Sequence, residues 1–233
     1  MDANSKPDPK KPEEKPTEQP APQKDAGDGG NKAGEEGKGK GKPKGKPAEP
    51  AEGKKKQQPV PAAEKPIVFS RLDMRVGKII QIEKHPDADS LYKEQIDLGN
   101  GEVRTVVSGL VKFIPIEQLE NRLVLVLCNL KPSTMRKVKS EAMVICASND
   151  DHTQVEIVDP PAGSQPGDRI TVEGEEGEPD APINLSDKKN AFTTALQPLL
   201  KTNADGVACF KDKPLLAPKG NLKSSTLKNA HLG

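Results

Sequence analysis

Residues 123–147 read LVLVLCNLKPSTMRKVKSEAMVICA: two nearly unbroken apolar runs, 123–130 and 142–147, on either side of a polar, cationic connection. A strand wetted on one face alternates apolar and polar residues, so runs without alternation predict strands buried on both faces. The connection, 131–141, reads as a loop. It carries Lys131, Arg136, Lys137 and Lys139, so a rigid frame presents clustered cations, a disposition suited to phosphate oxygens as well as to plain solvation.

Upstream, Leu72, Met74, Val76, Ile80 and Ile82 lie at even spacing, with Asp73, Arg75, Gln81 and Glu83 between them, which predicts one long half-buried strand. Tyr92, Ile96 and Leu98 alternate with Lys93, Gln95 and Asp97. Gly99-Asn100-Gly101 then turns into 103–108, so these two strands form a hairpin. Residues 113–121 carry Ile116 and Leu119 three apart and read as a short helix. Five strands with a helix between the third and fourth is the element order of an OB-fold barrel, and the expected fold class is mainly β.

Beyond residue 150, segments 155–158 and 169–172 resemble paired strands around a Pro- and Gly-rich turn. One helix follows, with Ser186 as its N-cap and Phe192, Ala195, Leu196 and Leu199 on one face. Residues 207–210 and 215–216 supply further short strands. The expected organisation is a tail at 1–66, an OB-fold domain at 67–150, and a small α+β subdomain at 151–233 packed on the barrel.

The tail differs in kind. Residues 1–66 hold 12 Pro and 9 Gly, no aromatic residue, no Leu or Ile, and only Val60 among the branched aliphatics. Such a segment cannot offset the entropy of ordering and is expected to be disordered. Within it, Lys38, Lys40, Lys42, Lys44, Lys46, Lys54, Lys55 and Lys56 make a basic arm, opposed only by Glu49 and Glu52. As a coil the arm reaches about 25 Å. Net charge is +1 overall and names no partner by itself.

Cys128, Cys146 and Cys209 are an odd set far apart in sequence, two of them inside apolar runs, which fits buried thiols in a reducing compartment. No apolar segment suits a signal peptide or a membrane span, so the expected location is the cytoplasm. Asp87 and Asp89 near His85 lack the further ligands a metal site needs, and they read as turn formers. His85, His152 and His231 are scattered, and no nucleophile and base stand together in a motif, so neither catalysis nor a cofactor is expected. Few aromatic residues are available to stack bases. A folded RNA read by shape and phosphates suits the chain better than an unstructured strand.

The segments FSRLDMRVGKI, HPDADSLY, RTVVSGLV, LCNLKPSTMRKVKSEAMVICAS and PPAGSQPGDRI, in that order, resemble the EMAP II-like tRNA-binding domains. Such domains stand at the C-termini of tyrosyl- and methionyl-tRNA synthetases and in auxiliary subunits of multi-synthetase complexes. The resemblance runs on through FKDKPLLAPKG and covers 67–233. It implies an OB-fold that binds tRNA with little sequence discrimination and supplies it to an aminoacyl-tRNA synthetase, with synthetases as partners. It also implies a monomer whose C-terminal half imitates a dimer interface. Contacts to tRNA are implied for Lys84, His85, Lys131, Met135, Arg136, Ser140 and Met143, with Ser108 and Asn129 on the same face. Lys137 stands where relatives often carry Gly. Residues 1–66 show no heptad or apolar stripe of the kind that docks auxiliary subunits. The alternative is a cytokine-like signalling or protein-interaction module acting through 71–78.

Overall fold

The structure is a computed structural model that describes residues 65–233. The expected tail lies outside the described residues apart from Lys65 and Pro66, and the basic arm at 38–56 lies wholly outside them. The described chain is mainly β and antiparallel.

Strand β1 (Met74–Lys84) is the hub. It pairs on one edge with β4 (Leu123–Leu127) and on the other with β2 (Tyr92–Asp97), which pairs in turn with β3 (Val103–Ser108). The β2–β3 turn places Gly99, Asn100 and Gly101 all at positive φ, which is why glycine flanks it. The bounds of β3 are those expected, 103–108. β1 departs from its pattern, because pairing with β2 shifts register between Ile79 and Gln81. This bulge turns Ile80 out to 48% exposure and puts Ile79 in the core in its place.

The second apolar run forms β7 (Met143–Ser148), paired with β4. Burial on both faces is borne out, and the reason is two separate cores. Leu125, Leu127, Ile145 and Ala147 face one, with Phe69, Met74, Phe192 and Phe210. Val124, Val126, Val144 and Cys146 face the other, with Ile79, Tyr92, Ile96 and Ile157. Each such side chain contributes about 1.5–3 kcal/mol by leaving water, so both faces of these strands are anchored. All three cysteines are free and buried, and burial pushes the thiols of Cys128 and Cys146 up to about 12.

The segment 131–141 is not an open loop. It folds as a two-stranded hairpin, β5 (Ser133–Met135) against β6 (Val138–Ser140). Its base curls the sheet: the Glu141 N–H donates to the Thr105 carbonyl at 2.9 Å, and the Val107 N–H donates to Ser140 Oγ at 3.0 Å. The free edge of β3 thereby meets the chain entering β7.

The helix read at 113–121 shrinks to one 3-10 turn, Ile116–Gln118, after Pro115. Leu119 drops into the core and Asn121 turns left-handed, so the helix cannot continue. The later helix also starts late. Its turn is Phe192–Leu196, continued by Gln197–Leu199, and the capping side chain is Asn190, whose Oδ1 accepts the Thr193 N–H at 2.9 Å. Helical backbone begins only at Ala191, too far along for Ser186 to cap it.

The remaining strands are β8 (Val155–Ile157), β9 (Thr171–Val172), β10 (Leu200–Thr202), β11 (Ala208–Phe210), β12 (Lys213–Ala217), β13 (Gly220–Asn221) and β14 (His231–Leu232). The expected pairing of 155–158 with 169–172 does not form: β8 pairs with β7 and β9 with β12. β14 joins β7, so the sheet runs β13-β12-β11-β10-β14-β7-β4-β1-β2-β3 and its far half is built from the C-terminal residues. Among the described residues no helix is long and apolar enough to cross a membrane.

Candidate nucleic-acid interface

The β5–β6 hairpin presents the cations. Its two turn residues, Arg136 and Lys137, both have positive φ, 46° and 73°, the geometry of a two-residue hairpin turn that glycine or asparagine usually supplies. Two consecutive left-handed non-glycine residues hold both long side chains on the tip of an exposed hairpin. Lys131, Arg136, Lys137 and Lys139 are all exposed, as is Lys84 at the end of β1. Lys139 pairs with Glu141 at 2.8 Å and holds that carboxyl below its usual range. Lys137 Nζ lies 3.1 Å from Asp87 Oδ2, tying the turn to the β1–β2 connection. Lys84, Lys131 and Arg136 have no ion-pair partner among the described residues, so they are free to meet an anion.

His85 is a strut in this structure. It is buried, its Nδ1 accepts the Asp87 N–H at 3.0 Å, and its Nε2 therefore donates to the Met135 carbonyl at 3.2 Å. Ser140 is buried too, donating to the Ala142 carbonyl while accepting from Val107. Asn129 is placed elsewhere. Its Oδ1 accepts the Asp73 N–H and its Nδ2 donates to the carbonyls of Arg71 and Asp180, so its side chain is consumed inside the fold.

Ser108, Met135 and Met143 do come together, along a groove of about 360 Å³ beside the hairpin. Met135 is 41% exposed, whereas Met143 is half-buried and packs against the core of Met74, Leu127 and Ile145. Phe113 also lines the groove. It is the one phenylalanine with an exposed ring, at 37%, since Phe69, Phe192 and Phe210 are buried. Sequence reasoning passed over it because nothing in its local pattern separates it from a core aromatic. His152 and His231, remote in sequence, both line the groove, and His231 Nε2 is 3.2 Å from Asp150 Oδ1.

Beneath the groove lies a group the sequence reading missed. Glu94 is fully buried on the inward face of β2, between Tyr92 and Ile96 in the alternation. It accepts the Ser108 hydroxyl at 2.5 Å, and burial, only partly offset by that bond, pushes its carboxyl up to about 7. The position had a signal, because its spacing from Tyr92 and Ile96 puts it on the same face.

The segment 71–78 is mostly core. Arg71, Leu72, Met74, Val76 and Gly77 are buried, and Arg75 is engaged with Asp73 and Glu102. It offers little surface to a receptor.

Residues 74–169 match the family model described as a tRNA binding domain. A cytoplasmic methionine–tRNA ligase of Arabidopsis thaliana is 51% identical over 179 residues, covering 77% of this chain and 22% of that protein. The aminoacyl tRNA synthase complex-interacting multifunctional protein 1 of Cricetulus griseus is 48% identical, covering 76% of this chain and 48% of that protein. The chain thus spans less than half the length of these curated relatives. The crystal structure of the C-terminal domain of Plasmodium vivax p43 superposes with a TM-score of 0.67 at 36% identity, covering 72% of this chain and 99% of that one.

Proposed function

The chain belongs to the EMAP II-like tRNA-binding domain family, and from that premise we propose that it is a non-catalytic, cytoplasmic protein that binds tRNA with low sequence specificity and supplies it to an aminoacyl-tRNA synthetase. The observation that carries the reading is the hairpin: exposed Lys131, Arg136, Lys137 and Lys139 on a support fixed by His85 and Ser140. A fixed backbone gathers the cations at one tip, and phosphate contacts fix position without reading sequence.

The curled sheet of β1–β4 and β7 is read as an OB-fold barrel at 67–150, supported by the bond from Glu141 to Thr105 that brings its free edge back. Residues 151–233 are read as the subdomain that packs on it and leaves the chain a monomer. Lys38, Lys40, Lys42, Lys44, Lys46, Lys54, Lys55 and Lys56 add a diffuse electrostatic grip. Linked to a synthetase, such a module raises the local concentration of tRNA at a catalytic site by avidity.

A salt titration of tRNA binding tests this. Neutralising roughly four to six phosphates predicts a slope of log K against log salt of about −3 to −5. Changing Lys131, Arg136, Lys137 and Lys139 to Ala should abolish specific binding, while removal of 1–66 should weaken it and flatten the slope. Binding insensitive to salt would sink the proposal.

A further inference from the structure

We infer that the groove between the hairpin and Phe113 is a pocket for one unstacked nucleobase of the bound RNA, selecting a base that carries an exocyclic amino group. The inference rests on the tRNA-binding reading and adds to it a contact that phosphate recognition does not require.

Shape and lining come first. A volume of about 360 Å³ lies at the small end of ligand pockets, the size for one planar group with its sugar outside. Its walls are flat or pliable: the exposed Phe113 ring, and the Met135 and Met143 thioethers, which pack well on aromatic faces. Stacking on a ring is how proteins hold a base that has left its helix.

Charge sets the orientation. Met135 lines the groove and Arg136 follows it directly on the turn, so a nucleotide whose base enters the groove has its phosphate at the cationic tip. An apolar peptide would gain nothing from those cations.

The floor decides which base. Ser108 lines the groove, and its hydroxyl hydrogen is committed to Glu94 Oε1, so its Oγ keeps lone pairs to accept with and no hydrogen to donate. An acceptor at the floor suits the amino groups of adenine, cytosine or guanine. It is mismatched to the uracil carbonyls. Glu94 is itself under-satisfied: among the described residues its Oε2 has no hydrogen-bond partner although the side chain is fully buried. A buried carboxyl with a free oxygen costs stability and persists here as the group that fixes the Ser108 hydroxyl.

The four methionines make the test direct, since Met135 and Met143 line the groove, Met74 is fully buried in the core that Met143 packs against, and Met1 lies at the chain start. Full-length protein with 13C-methyl methionine is titrated with hexamers of adenosine, cytidine or uridine, with tRNA, and with an apolar dodecapeptide. The expected result is that adenosine and cytidine hexamers and tRNA shift the Met135 and Met143 methyl signals saturably, the uridine hexamer far less, and Met74 stays fixed. Phe113→Leu should weaken the adenosine hexamer roughly tenfold, with the Met74 signal confirming an intact core.

Salt-dependent tRNA binding with both groove methyls unmoved would overturn the base pocket and leave the tRNA reading standing. Hexamers that shift the methyls without any tRNA binding would do the reverse. Equal shifts from uridine, or shifts from the peptide alone, also overturn the inference.

Discussion

The ring of His85 and the carbonyl of Met135 are joined by a hydrogen bond of 3.2 Å across 50 residues of sequence, and that bond fixes the hairpin to the end of β1. The side chain that family resemblance offers as an RNA contact thus acts, in this structure, on the hairpin that carries the proposed contacts. Whatever Arg136 and Lys137 bind, they are held in place for it by an imidazole out of reach of solvent.

His85→Ala should therefore destabilise the protein by about 1–3 kcal/mol, the usual cost of orphaning a buried partner. It should also lower tRNA affinity with little change in the salt slope, because no phosphate contact is removed. Urea unfolding and a salt series on the same variant check both; a slope reduced by about one unit would mark His85 as a phosphate ligand instead.

Lys137→Gly separates strain from charge. At φ 73° a lysine is held where glycine is at ease, so the variant should gain about 1 kcal/mol of stability. The lost pair with Asp87 offsets little of this, since Lys137 is 87% exposed. If Lys137 meets a phosphate, the salt slope of tRNA binding falls by about one unit.

Glu94 makes stability depend on pH in an unusual direction. Its carboxyl titrates at about 7 when folded against 4.5 when unfolded, so between these values the unfolded chain has released a proton that the folded chain keeps. Stability from this group is full below pH 4.5, falls as pH rises to about 7, and is flat beyond. Glu94→Gln should flatten that limb and be the more stable protein at pH 8, by about 3 kcal/mol at most. Glu156 has the opposite sign. Held at about 2 by Ser224, Thr226 and Leu227 against its burial, it contributes stability above pH 4.5 that is lost as pH falls towards 2. Denaturant midpoints from pH 2 to 8 resolve the two limbs.

Gly77 is small for a packing reason. A Cβ there would stand 2.5 Å from Ile96 Cγ2 and 2.9 Å from Val126 Cγ2, so Gly77→Ala should cost about 1–3 kcal/mol, measured by thermal unfolding.

What the chain's pattern reveals follows from how locally each element is determined. β3 and the hairpin turn at Gly99-Asn100-Gly101 are readable because alternation and turn chemistry agree over a few residues. The two apolar runs declare burial on both faces but not that the faces belong to different cores, since that depends on partners outside the runs, from Phe69 upstream to Leu232 downstream. The bulge at Ile80 has no local mark, because Ile79 and Ile80 are equally apolar and only pairing with β2 decides which turns in. The mispaired β8 and β9 and the late helix start fail for the same reason: partners and caps there are chosen by distant contacts. In the candidate site the cations are plain from composition. Phe113 is not, because it is an ordinary aromatic left outside, and Glu94 shows only in its even spacing from Tyr92 and Ile96.

The alternation of Leu125 and Leu127 to one side and Val124 and Val126 to the other has a consequence for how such a chain can be cut. A protease or a gene fusion that ended the chain near residue 150 would leave Leu125, Leu127, Ile145 and Ala147 bare along a single strip. An exposed apolar strip of that kind favours association with other chains. A break that keeps both cores whole has to fall ahead of Phe69, whose ring already belongs to the core that the last strand closes.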